Sequence, residues 1–207
     1  SIPEVEVLKV PKKLFLYSQL LFKDGWFDSL SYSEEDKTRT LMYQSEIQRK
    51  RSIKQFQNID DYLKSLKLII NVHLITEKEI SRVSQLTQKT NQFNLTTRRY
   101  SEAKIQTTME NINNDIYSLS VTDKFGNSGL TGVMIVIKEE NCAVIDNLLL
   151  SCRVLGRKVE FEFVRQCFGM IEKKWNPDIW STEYIPTAKN QQVESFWEKF
   201  QFSIKEI

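Results

Sequence analysis

The stretch SCRVLGRKVEFEFVRQCF, residues 151–168, brings Cys152, Arg153, Gly156, Arg157 and Lys158 close together in the chain. The apolar run CAVIDNLLL (142–150) precedes it, and VEFEFVRQCFGMIEKKW (159–175) follows with the spacing of an amphipathic helix. A buried strand therefore ends here and a helix begins. The start of a helix leaves N–H groups unpaired and carries a partial positive charge, and a glycine lets an anion approach the backbone. Three cations in the same turn would also favour a thiolate at Cys152, the form in which cysteine is a nucleophile. The plain alternative is a solvated strand-to-helix turn, with Cys152 as a small residue sealing the strand end. The sequence leaves both open.

A second polar cluster is KTNQFNLTTRR (89–99), at the exit of a helical pattern. Asn91, Gln92, Asn94, Thr96 and Thr97 offer many hydrogen-bonding groups, and Arg98 and Arg99 add charge. These residue types also commonly terminate helices. Asp123, just before Phe125 and Gly126, is a candidate base or a residue that shapes a hairpin turn. His73, in a strand pattern, reads as a packed histidine. As the only histidine it excludes a multi-histidine metal site, and no metal is expected in this chain. The three cysteines, Cys142, Cys152 and Cys167, form neither a disulfide framework nor a zinc pattern.

The elements that must position these residues belong to an ordinary globular chain. It has 207 residues, 41% hydrophobic and 27% charged, with a net charge of +2. That balance leaves no footprint for nucleic acid. No apolar run approaches 18 residues and no signal peptide is visible, so no membrane partner is expected and a reduced, cytoplasmic setting is.

Residues 1–20 read as a tail or linker. A long polar helix is predicted over 33–56 with Ser33 as its cap, and a short helix over 60–66, capped by Asn58 or Asp60. A strand at 67–75 precedes a helix at 77–90 that opens on a Thr76–Glu79 capping box, and another helix follows at about 101–113. Strands are predicted at 116–125, 130–139 and 143–151, with a turn at GNSG (126–129), and turns this short imply antiparallel neighbours. A helix at 159–175, a strand at 179–186, a helix at 191–200 and a strand at 202–207 complete the order. The class is α/β (α+β): a mixed, mostly antiparallel sheet flanked by helices, with an N-terminal helical extension.

This order resembles the GNAT acyltransferase fold, in which a strand ends in an Arg/Gln-x-x-Gly-x-Gly/Ala turn that opens the next helix. Arg153, Val154, Leu155, Gly156, Arg157 and Lys158 match that turn, with Lys158 where the family prefers a small residue. The resemblance implies a pyrophosphate site there for coenzyme A. NQQVESFWEKFQF (190–202) resembles the family's last helix and adds Asn190 to that site. Many of these enzymes place a tyrosine near Trp197 to protonate the departing thiolate, which an indole N–H cannot do near neutral pH. Gln201 stands in place of the usual glycine. Phe196, Trp197, Phe200 and Phe202 read as core.

Longer runs carry a finer resemblance. SRVSQLTQKTNQFNLTTRRYSEAKI (81–105), VTDKFGNSGLTGVMI (121–135), LLSCRVLGRKVE (149–160), PTAKN (186–190) and EEDKTRTLMYQ (34–44) are similar to the C-terminal region of the FkbH-like family. Its members typically join a haloacid-dehalogenase-like (HAD-like) phosphatase domain, which processes 1,3-bisphosphoglycerate, to a GNAT-like domain. The second domain is implicated in passing a glyceryl group to the pantetheine thiol of an acyl carrier protein for polyketide-type assembly. No Asp-x-Asp-x-Thr/Val motif of the phosphatase occurs in this chain.

Residues 1–60 are therefore expected to be a linker and helical extension from such a domain, and 61–207 the GNAT-like domain. The resemblance implies Cys152 as acyl carrier, with Asp123 as candidate base. It implies Asn91, Gln92, Asn94, Thr96, Thr97 and Arg98 as a polar acyl pocket suited to a hydroxylated group. The ligand it implies is coenzyme A or carrier-protein phosphopantetheine, and the partners it implies are an acyl carrier protein and the HAD-like domain. A coenzyme A-dependent N-acetyltransferase and a non-catalytic carrier-docking module are the alternatives.

Overall fold

The computed structural model describes residues 10–16 and 34–203. Residues 41–207 form one compact unit and residues 1–40 another, so the expected boundary at residue 60 falls inside the larger unit. Within the smaller unit, Leu14–Leu16 forms a 3-10 turn. The Ser33 cap, most of the 1–20 segment and the last four residues of the strand expected at 202–207 lie outside the described residues.

Helix α1 (Glu34–Ile53) enters the larger unit at residue 41 and is followed there by α2 (Ile59–Leu66), strand β1 (Ile69–Leu74) and α3 (Ile80–Lys89). Then come β2 (Phe93–Asn94), α4 (Glu102–Glu110), β3 (Asn114–Asp123), β4 (Gly126–Glu139) and β5 (Cys142–Leu150). Helix α5 (Val159–Trp175) and β6 (Ile179–Thr182) precede two 3-10 turns, Gln191–Val193 and Trp197–Phe200. Local chemistry sets the starts. The Asn58 side chain accepts from Asp60 N at 2.8 Å, and Glu79 accepts from Thr76 N at 2.8 Å in the expected capping box.

The six strands form one sheet in the order β1-β3-β4-β5-β2, with β6 parallel to β5 and every other pair antiparallel. Alternation along the strands builds two cores. Tyr117, Leu119, Met134 and Val136 face α5, while Ile116, Val133 and Ile135 face α3 and α4. On β5 the alternation breaks. Ile135 pairs with Asn147 and Val136 with Ile145, which leaves Asp146 as an extra, bulged residue. The bulge puts Ala143, Ile145, Leu148 and Leu150 on the same face despite their change of parity.

Gly132 is what lets α5 lie this close to β4. A Cβ there would stand 3.0 Å from Leu119 Cβ and 3.3 Å from the Phe163 ring. Phe163 is fully buried, and burial of such a ring contributes about 2–3 kcal/mol.

Three elements differ from the expectation. The β3–β4 turn is at Lys124 and Phe125, and the GNSG segment is paired strand, its glycines absorbing φ values of 140° and 71° beside register shifts. The expected last helix is two 3-10 turns. β2 was invisible because it is two residues long.

Candidate functional site

After β5 the chain makes the 3-10 turn Cys152–Val154, then passes Gly156 at φ 78° and Lys158 at φ 57° before α5 begins. The left-handed φ at Lys158 is a backbone reason for preferring a small residue there. The three cations of the turn have partners. Arg157 is buried and donates to Asp123 Oδ2 at 3.2 Å, to Ser128 Oγ at 3.3 Å and to the Arg153 carbonyl. Arg153 Nη1 meets Met42 Sδ at 3.3 Å, and Lys158 Nζ pairs with Asp60 at 2.7 Å on the surface. Cys152 is exposed. Val154 is core.

Asp123 is the centre of this network. Its fully buried carboxylate accepts from Arg49 Nε at 2.7 Å and Nη2 at 2.9 Å, and from Phe125 N at 2.9 Å. Burial raises its pKa, but Arg49, the Phe125 N–H and Arg157 outweigh burial and hold the carboxyl below the usual range. An acid so held accepts protons poorly, so the geometry replaces the expected base role with that of a charged anchor tying α1, the β3–β4 turn and the start of α5 together.

In the 91–99 cluster, Asn94 and Thr96 are buried, while Gln92 and Arg99 are exposed. Asn94 accepts from Thr97 N at 2.8 Å and donates to the Thr90 carbonyl at 3.2 Å. Thr96 donates to the Asp146 carbonyl at 3.1 Å, Arg98 binds Asp146 Oδ1 at 2.7 Å and Glu183 at 2.6 Å, and Arg99 donates to Asn91. Tyr100 donates to the same Asp146. Thr97 takes a φ of 53°, and Gln92 is exposed. Asn190 is fully buried. It accepts from Thr187 N at 2.7 Å and donates to the carbonyls of Asn94 and Ile185, each at 2.9 Å. These residues clasp β2 between β5 and the segment after β6, where Leu95 N donates to Leu148 O and Ile185 N to Leu95 O. The side-chain polar atoms of Asn94, Asn190 and Thr96 are used in the clasp, while Gln92 stands at the surface outside it.

A cleft of about 160 Å³ opens between the first turn of α5 and residues 192–199. Phe93, Leu155, Phe161, Val193 and Phe196 give it apolar walls. Glu160, Gln192, Ser195 and Lys199 are its polar side chains, and Gly156 forms its rim. Glu160 Oε2 is buried with no hydrogen-bond partner among the described residues. Burial pushes the Glu160 carboxyl up, against the opposing pull of its own backbone N–H, Lys199 and Lys158. Glu160 was missed in the sequence because an acid in the first turn of a helix reads as a dipole partner.

His73 Nε2 lies 3.0 Å from Glu79 and 3.2 Å from Ser118 Oγ. Both contacts fall on one ring nitrogen, so the three residues do not form a proton relay, which needs the acid and the hydroxyl on opposite nitrogens.

No family model matches the chain, and no curated protein matches it. Solved structures do. The ribosomal-protein-S18-alanine N-acetyltransferase of Escherichia coli superposes with a TM-score of 0.51 at 12% identity, over 67% of this chain and 80% of that one. Ard1 of Thermoplasma volcanium gives 0.51 at 16% identity, over 66% and 84%. A transcriptional regulator of Bacillus halodurans gives 0.50 at 11%, over 67% and 96%. The fold is that of the GNAT acetyltransferases.

Coenzyme A, the group this fold implies, can be tested against the residues present. The cleft's mixture of aromatic rings with Gln192, Ser195 and Lys199 is compatible with the amide- and hydroxyl-bearing pantetheine half. Its diphosphate would have the N–H groups at the start of α5, while Arg157 and Lys158 are engaged with Asp123 and Asp60. Among the described residues, no helix of this GNAT-fold chain is long and apolar enough to cross a membrane.

Proposed function

We propose that this protein is an acyl-transfer domain working on an acyl group carried as a thioester on a pantetheine arm. The observation that carries the reading is the cleft beside the first turn of α5, which mixes aromatic rings with polar groups and is built on a GNAT-type sheet. A pantetheine arm is uncharged and rich in amide and hydroxyl groups, which matches walls of Phe93, Phe161 and Phe196 around a few polar atoms. The finer reading takes its support from the FkbH-like runs. In it the group is glyceryl, the acceptor is the pantetheine thiol of an acyl carrier protein, and the partner is an N-terminal HAD-like domain of the same parent protein.

Two routes separate at Cys152. Transfer through a covalent acyl-cysteine needs the thiol at the donor, and transfer directly to the acceptor thiol does not. Cys152 is exposed and is not part of the cleft lining, which favours the direct route. The competing coenzyme A-dependent N-acetyltransferase reading draws on the fold neighbours, one of which is an N-acetyltransferase by name. Against it, the indole N–H of Trp197 is buried and unpartnered, and an indole does not return a proton to a leaving thiolate. The separating experiment offers the protein a glyceryl thioester with a holo-carrier protein, and acetyl-coenzyme A with an amine. The proposal expects acyl on the carrier thiol; turnover confined to the amine would replace it with the second reading.

A further inference from the structure

Within the larger unit, α1 has an inner face and an outer face. Met42, Ser45 and Arg49, at helical spacing, hold the inner face. Met42 Sδ meets Arg153 at 3.3 Å, Ser45 Oγ donates to the Phe125 carbonyl at 2.7 Å, and Arg49 binds Asp123. Tyr43, Ile47, Lys50, Arg51 and Lys54 share the outer face. Tyr43 is 66% exposed and Ile47 51%. Lys50, Arg51 and Lys54 are exposed, and among the described residues none of the three is in an ion pair. The inner cation is paired and the outer cations are not.

Cations in a last helical turn complement the helix dipole, but the dipole gives no reason for two exposed apolar side chains upstream. The two chemistries are separated along the helix, with apolar groups first and cations at its end. A membrane-surface helix needs an apolar stripe along its whole length, and a phosphate backbone would use the cations alone. A partner that uses both ends is apolar opposite Tyr43 and Ile47 and acidic opposite Lys50, Arg51 and Lys54, as one face of an acidic helix is.

We propose that the outer face of α1 is the docking surface for an acidic, helical protein. The inference rests on the acyl-transfer reading for that partner's identity, the acyl carrier protein. The inner face of α1 touches Arg153, in the turn whose Gly156 forms the rim of the cleft. A carrier seated on α1 is therefore about one helix diameter, roughly 10–12 Å, from that turn.

The test is fluorescence anisotropy with a net-acidic apo-acyl carrier protein, which has no arm and so reads the protein contact alone. Thermal melts confirm that each variant is folded. Joint reversal of Lys50→Glu, Arg51→Glu and Lys54→Glu is expected to weaken binding at least about tenfold at about 0.05 M salt, and much less at about 0.5 M. Tyr43→Ala with Ile47→Ala weakens it at least about fivefold at both salts. Lys78→Glu, Lys104→Glu and Lys173→Glu together change the net charge equally at exposed positions elsewhere, and leave binding within about twofold of wild type. Equal damage from both charge reversals, or a carrier that ignores the α1 variants or fails to bind wild type, overturns the docking face. A dimer in sedimentation that Ile47→Asp abolishes gives the face to a second copy, and a DNA duplex that binds it more tightly than the carrier gives it to nucleic acid; either result overturns the proposal. Glyceryl transfer to free pantetheine is followed separately. Carrier binding as expected, with no transfer to any thiol, upholds the docking face and removes the acyl-transfer reading.

Discussion

Asp123→Asn is expected to lower stability by about 3–5 kcal/mol, because it strips the buried anion from the cluster and leaves Arg49 and Arg157 only the half-exposed Glu46, at 3.6 and 3.5 Å. The geometry shows why a near-isosteric amide does not rescue it. Oδ1 accepts from Arg49 Nη2 and Phe125 N, and Oδ2 accepts from Arg49 Nε and Arg157 Nη1. Whichever way the asparagine is turned, its NH₂ faces two N–H donors. For a domain of this size each kcal/mol moves the melting midpoint by about 2–4 °C, so a fall on the order of 10 °C is expected. The Asp123 pKa lies below the ordinary carboxyl value of 3.8, so its contribution is present above that pH and is lost as pH falls through the depressed value. The deficit of the variant should therefore be full at pH 7 and shrink in strong acid. Thermal melts followed by circular dichroism at several pH values read all of this. A midpoint within 2 °C of wild type at pH 7 would refute the anchor, and loss of transfer with no loss of stability would restore Asp123 as a base.

The remaining predictions follow the same logic. Glu160→Gln should raise the melting midpoint by about 2–4 °C at pH 7, since it removes a desolvated charge worth about 1 kcal/mol. The folded Glu160 pKa is raised, so wild type loses this stability as pH climbs from 4.5 through the folded value, and the gain should vanish near pH 4. Asn190→Ala, which empties the clasp on Asn94, Ile185 and Thr187, should cost about 2–3 kcal/mol in denaturant titration. Gly132→Ala should cost about 1–3 kcal/mol by pushing on Leu119 and Phe163, measured the same way. Cys152→Ser should leave acyl transfer to a thiol acceptor within about twofold of wild type.

The fold was readable where period and length agreed. The 159–175 helix, the capping box at Thr76 and Glu79, and the run of three antiparallel strands all declare themselves through spacing and short turns. It was unreadable where the backbone departs from period. The bulge at Asp146 shifts parity on β5, and the glycine-rich start of β4 imitates a turn while remaining paired. The site was less legible, because sequence shows which groups are polar and not what each one faces. Arg157, Asn94 and Asn190 are ligand-binding types whose atoms are used up inside the fold. Glu160 is an ordinary helix-start acid until the fold buries one of its oxygens without a partner among the described residues.

The most direct test of the central claim is intact-protein mass spectrometry of a holo-carrier protein incubated with this chain and a glyceryl thioester of pantetheine. Time-dependent appearance of the glyceryl mass on the carrier's pantetheine thiol, above the rate without the protein, is the predicted result. A carrier that remains unmodified while the folded protein transfers acetyl from coenzyme A to an amine would contradict it.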